Sequence, residues 1–145
     1  MSANYLPEWL TGSPTRSAPT MSFIDVVSRG LPLQSVDALS LEIAPDNSAF
    51  KYFLVPKATY NRRRMNAGRK PARLSRDESE RLVRLARVWA LANEIWHSPE
   101  GARRFMFAPH MLLEGRTPLD VTLGGELGGK MVEDVLGRLA YGSAA

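Results

Sequence analysis

Apolar spacing along the chain is irregular up to residue 20 and helical from residue 21. The first 20 residues are rich in Ser, Thr and Pro, with Pro7, Pro14 and Pro19 interrupting them, and read as a flexible tail. Within that tail Tyr5, Leu6, Trp9 and Leu10 form an apolar cluster suited to docking on the protein's own core or on a partner. Phe23, Ile24, Val26 and Val27 predict a short helix that Gly30 closes and Pro32 keeps from continuing. Leu33, Val36, Leu39, Leu41 and Ile43 predict a helix or mixed helix-turn stopped by Pro45. Ser48 is placed to cap a short helix over 49–54, in which Phe50, Phe53 and Leu54 share a face. Val55-Pro56 then breaks the chain before a second short helix over 57–64.

The second half is more regular. Ser75-Arg76-Asp77-Glu78 has the form of a capping box, in which the Ser75 hydroxyl accepts from the amide of residue 78 and the Glu78 carboxylate from that of residue 75. Downstream, Leu82, Leu85, Ala86, Trp89, Ala92 and Trp96 line one face of a long core helix. Ser98-Pro99 and Thr117-Pro118 are N-cap and first-turn pairs. The first opens a helix with Ala102, Phe105 and Met106 that ends before Pro109; the second opens a short helix through Leu119 and Val121. Gly124-Gly125 and Gly128-Gly129 bracket Glu126 and Leu127 and read as a flexible turn. A final helix over roughly 130–140 carries Val132, Val135, Leu136 and Leu139 on one face. The fold class is all-α.

A chain of 145 residues fits one domain or two very small ones. Its 44% hydrophobic and 23% charged residues are those of a globular protein. No apolar run approaches the roughly 18 residues of a membrane helix, and the N-terminus lacks the basic and apolar regions of a signal peptide, so a cytoplasmic location with no membrane partner is expected. The absence of cysteine excludes disulfides and thiolate chemistry, and His97 and His110 are too few for an all-histidine metal site. His110 has no acid or histidine at ligand spacing and reads as a surface or capping residue. The glycine pairs are not followed by Lys-Ser/Thr, as a phosphate loop would require, and Asp120 and Glu126 would repel an anion. No nucleophile, acid and base come together in the sequence, so neither enzymatic activity nor a cofactor is expected.

Charge is uneven. Residues 1–73 hold 10 Lys and Arg against 5 Asp and Glu, whereas 74–145 hold 9 against 10. Over residues 51–73 stand Lys51, Lys57, Arg62, Arg63, Arg64, Arg69, Lys70 and Arg73 without an acid. Such a block is either a solvated surface or a contact for nucleic acid. Its setting, a short apolar helix, a tight break and a second short basic helix, is the layout of a helix-turn-helix with the second helix as reader. On that helix Lys57, Thr59, Tyr60, Arg62, Arg63 and Arg64 are the types that contact phosphates and base edges.

The stretch from 74 to 142 resembles the toxin-binding domain of Xre/MbcA/ParS-type antitoxins. The resemblance rests on Leu74-Ser75 with Glu78, Arg81-Leu82, Arg84-Leu85-Ala86-Arg87-Val88, Ala92, Ala102, Pro109, Leu113, Gly115, Pro118-Leu119-Asp120, Gly128, Val132, Leu136, Arg138 and Tyr141-Gly142. Phe105-Met106 stands where the family commonly has Trp-Leu, a change that keeps apolar volume. Residues 55–64 also look like the second helix of the family's Xre-like helix-turn-helix. After the tail over 1–20 that composition predicts, the resemblance implies an Xre-like helix-turn-helix domain over 21–73 and a toxin-binding domain over 74–145. It implies a cognate RES-domain toxin that consumes NAD, by hydrolysis or ADP-ribosyl transfer, neutralised when the antitoxin occludes its active site. Arg84, Arg87, Arg138, Leu139, Tyr141 and Gly142 are the toxin contacts it suggests. Operator DNA is the second implied partner, bound by a homodimer or a hetero-oligomer with the toxin, because palindromic operators match two-fold symmetry. The rival expectation is a stand-alone helix-turn-helix transcriptional regulator with a helical dimerisation or sensing domain.

Overall fold

The computed structural model describes residues 21–68 and 71–142 of the chain. Tyr5, Leu6, Trp9 and Leu10, and the cations Arg69 and Lys70, lie outside the described residues. Among the described residues the elements are helical, with one isolated antiparallel bridge between Pro32 and Arg73. Two compact units divide between Val83 and Arg84, later than the boundary at residue 74 read from the sequence.

In the N-terminal unit, helix α1 (Met21–Arg29) buries Phe23 and Val27. It is closed by Gly30, whose amide donates to the Val26 and Val27 carbonyls at 3.1 Å. Gly30 has φ +101°, and a Cβ there would stand 2.0 Å from the Leu74 carbonyl oxygen, so both backbone shape and space require glycine. The chain then runs beside residues 72–74, with Leu33 N donating to Ala72 O at 2.9 Å and Leu74 N to Leu31 O at 2.8 Å. The remaining amide of this stretch, Leu31 N, donates to the buried Ser79 hydroxyl at 2.9 Å.

Helix α2 (Gln34–Ile43) supplies Val36, Leu39 and Ile43 to the core, while Leu41 faces solvent. The next turn is capped by Asn47, whose Oδ1 accepts from Ala49 N at 3.1 Å; Ser48 does not take the capping position expected of it. Helix α3 (Lys51–Leu54) follows, with Phe50 and Leu54 buried; Phe53 is exposed, its ring centre 6.0 Å from that of Phe50, and does not join them in the core as expected. Val55 is extended, Pro56 caps α4 (Lys57–Met65), and a 3-10 turn spans Asn66–Gly68. Helix α5 (Arg76–Trp96) opens with the full capping box: Ser75 N donates to Glu78 Oε1 at 2.8 Å, and Glu78 N to Ser75 Oγ at 3.1 Å.

In the C-terminal unit, α5 buries Leu85, Ala86, Val88, Trp89 and Ala92, and Trp96 emerges at its end. Helix α6 (Pro99–Phe107) is capped by Ser98, which accepts from Gly101 N at 3.0 Å. His110 Nδ1 accepts from Leu112 N at 3.1 Å and caps a 3-10 turn, Met111–Leu113, as its capping reading anticipates. Thr117 accepts from Asp120 N at 3.1 Å and opens α7 (Pro118–Gly124). Gly125 alone separates α7 from α8 (Glu126–Tyr141).

The flexible glycine turn expected over 124–129 is therefore absent. Gly128 and Gly129 lie in the first turns of α8, which starts at Glu126 rather than near residue 130. They are contact points: a Cβ on Gly128 would stand 2.0 Å from the Val121 carbonyl oxygen, and one on Gly129 would stand 2.8 Å from Arg84 Cγ and Cδ. Gly137, in the same helix, has nothing within 4 Å of its absent Cβ. Gly128→Ala should therefore lower the unfolding free energy by about 1–3 kcal/mol, the usual range for overpacking. Gly137→Ala should raise it by about 0.5–1 kcal/mol through helix propensity. Urea unfolding of both variants checks the contrast, and equal effects at the two positions would refute it.

Candidate functional site

Two surfaces follow from these elements, one in each unit. The first is α4. Tyr60 is only 3% exposed, and its hydroxyl donates to both carboxylate oxygens of Asp37 on α2 at 2.8 Å. Lys51 stands 3.5 Å from Asp37 and 4.6 Å from the centre of the Tyr60 ring. Burial, then the hydrogen bond and charge of Asp37, push the Tyr60 phenol above its ordinary pKa. Tyr60 thus anchors the helix, and its buried ring is turned into the unit.

Arg63 is turned inward as well, paired with Glu78, the carboxylate that closes the capping box. Burial works against the charge on Glu78, but the Ser75 backbone amide, the Arg63 guanidinium and the Ser75 hydroxyl outweigh it and hold the pKa below the usual glutamate range. Thr59 is half-buried. Lys57, Arg62 and Arg64 are exposed, together with Ala58, Asn61 and Met65. So the structure presents three of the six residues expected to touch DNA to solvent and gives Tyr60 and Arg63 work inside the fold. Asn61 is the one amide on that exposed face.

The second surface is α8. Arg84 is 9% exposed and donates through Nε to Thr122 O at 2.7 Å and through Nη2 to Leu123 O at 3.4 Å. These are carbonyls in the last turn of α7, where a cation also meets the negative end of the helix dipole. Arg87 forks between two carboxylates, Nη2 to Glu126 Oε1 and Nε to Glu133 Oε1, each at 2.8 Å. The two arginines of α5 therefore fasten the α7–α8 hairpin. Arg84 is enclosed by its own unit, which removes its head group from an interface.

At the far end of α8, Arg138, Tyr141 and Gly142 are exposed, with Tyr141 at 81%. They line a shallow groove with Glu133, Asp134 and Gly137. Leu139 is half-buried and belongs to a separate groove with Trp96, Phe105 and His110. Leu127 and Met131, exposed at 85% and 45%, continue the line of Asp134, Arg138 and Tyr141 by steps of four and three. This stripe runs the length of the helix. Its N-terminal half escaped notice because the glycine pairs hid the true start of α8; the steps from Leu127 to Met131 and Asp134 were the available signal.

An N-terminal unit with a helix-turn-helix layout is followed by a small helical unit with an exposed terminal helix, and family models match the two in the same order. Residues 22–87 match the antitoxin Xre-like helix-turn-helix domain, and residues 91–142 match the antitoxin Xre/MbcA/ParS C-terminal toxin-binding domain. The chain belongs to the Xre/MbcA/ParS family of antitoxins, with a helix-turn-helix domain and a toxin-binding domain. No curated protein matches the chain. No helix among the described residues is long and apolar enough to cross a membrane.

The Glu78 pair generates a test. A carboxyl whose folded pKa is depressed contributes stability above its unfolded value of about 4.3 and loses it as pH falls through the folded value. Glu78→Gln, whose amide oxygen still accepts from the Ser75 amide, should lower the unfolding free energy by about 1 kcal/mol at neutral pH, from the loss of the charge that Arg63 and the Ser75 amide meet. Urea unfolding at about pH 7 and about pH 3 checks this, with the gap between parent and variant narrowing in acid. A gap of constant size would refute the assignment.

Proposed function

We propose that the chain neutralises a cognate RES-domain toxin that consumes NAD, and that the exposed end of α8 occludes the toxin's active site. The observation that carries this reading is the placement of Arg138 and Tyr141. A cation and a rigid aromatic stand exposed near the tip of the helix that ends the matched toxin-binding domain. Such a pair suits a pocket that handles an anionic dinucleotide: the guanidinium meets phosphate or carboxylate oxygens, and the phenol ring covers apolar surface at low entropic cost. Leu127 and Met131 extend the contact along the helix as apolar anchors. Arg87 acts through Glu126 and Glu133, fixing the helix that carries the tip.

The N-terminal unit adds a second role. Lys57, Arg62 and Arg64 on the exposed face of α4 contact phosphates of the operator, so that the chain represses its own operon. Two copies bind together, because a palindromic site presents two equivalent half-sites to a two-fold symmetric pair.

Co-expression with the product of the adjoining gene, tagged on that product alone, tests the toxin role. The expected result is a stable complex with suppressed NAD consumption. In that complex, replacing Arg138 and Tyr141 together by Ala should restore NAD consumption while leaving the far-ultraviolet circular dichroism unchanged, since both residues are exposed. Truncation after Leu136 should do the same with most of the helical signal retained. Full neutralisation by the double variant would refute the role of the tip, and failure to form any complex would refute the toxin assignment.

A further inference from the structure

The exposed side of α4 is sorted by charge. At about 3.6 residues per turn, Ala58, Asn61 and Met65 fall on one row, three and four residues apart, and all three are exposed, Met65 at 84%. Lys57 and Arg64 border this row on one side and Arg62 on the other. The opposite side of the helix is fixed by the Tyr60 bond to Asp37 and the Arg63 pair with Glu78. The rotation of α4 about its own axis is therefore set, and an uncharged row flanked by cations is what meets a ligand.

We propose that this row reads A·T base pairs in a DNA major groove, an inference that rests on α4 being the DNA-facing helix. The Asn61 amide donates to adenine N7 and accepts from the adenine N6 amino group, the one bidentate match an asparagine makes on a base edge. Ala58 and Met65 lie against thymine methyl groups, for which small or flexible apolar side chains are suited. The flanking cations hold phosphates on either side of the groove. The arrangement distinguishes reading from mere attraction. A surface built only to hold a phosphate backbone gains from cations at its centre, whereas the centre here has one amide and two apolar groups that offer a backbone little and a base edge much.

The test is selection of bound duplexes from a randomised pool by the full chain, alone and co-purified with its toxin. The expected outcome is adenine enriched at one position of each half-site. Asn61→Ala should abolish that preference and weaken binding to the selected duplex about 10-fold or more, with the dependence of affinity on salt unchanged. Arg62→Ala should keep the adenine preference and reduce the salt slope by about 1. Both residues are exposed, and thermal melts of the variants confirm that each folds as the parent does. Retention of the adenine preference by Asn61→Ala, or a selected pool with no adenine preference, overturns the inference while DNA binding stands. Enrichment of no duplex by the parent overturns the DNA-facing role of α4, and the inference with it.

Discussion

The C-terminal unit depends on how it accommodates one buried guanidinium. Arg84 lies inside the unit, where an uncompensated charge would cost several kcal/mol. Compensation comes from the carbonyls of Thr122 and Leu123, in the last turn of α7, with Glu126 3.9 Å away. Those carbonyls are reached only if the methylenes of the arginine pass close to α8, and the missing side chain of Gly129 leaves them room. Gly128 does the same for the Val121 carbonyl of α7. Without this packing α8 would stand farther out, and its tip would have no fixed position. The exposed end of α8 is thus placed by residues buried within the unit.

The N-terminal unit solves a related problem with polar side chains. A short basic helix has little apolar surface of its own, and α4 contributes Tyr60 alone to the buried core. Its orientation is held by Asp37 on Tyr60 and by Glu78 on Arg63. Glu78 also closes the first turn of α5, so one carboxylate both starts a helix and steadies its neighbour. The consequence is a helix with an anchored face and a presented face, which its modest amphipathicity alone would not dictate.

Much of this was legible in the sequence where the physics is local. Ser75 with Glu78, Ser98 with Pro99, and Thr117 with Pro118 mark helix starts through bonds spanning three residues, and all three caps form. His110 as a capping residue is of the same kind. What stayed hidden depends on distant partners. Nothing near Tyr60 reveals Asp37, and nothing near Arg84 reveals the carbonyls of α7, so residue type alone does not show that both are held inside the fold. The pairing of residues 31–33 with 72–74 joins segments too far apart to announce each other. Glycine was the hardest to read: flexibility and close packing leave the same letter, and only the oxygen opposite Gly128 separates them.

The division of α4 into an anchored and a presented face also shapes how such proteins diverge. Exposed positions such as Lys57, Asn61, Arg62 and Arg64 tolerate exchange at little cost in stability, whereas Tyr60 and Arg63 do not. Substitution at the presented face therefore leaves the anchoring of α4 as it is, so this surface can change while the fold stays the same.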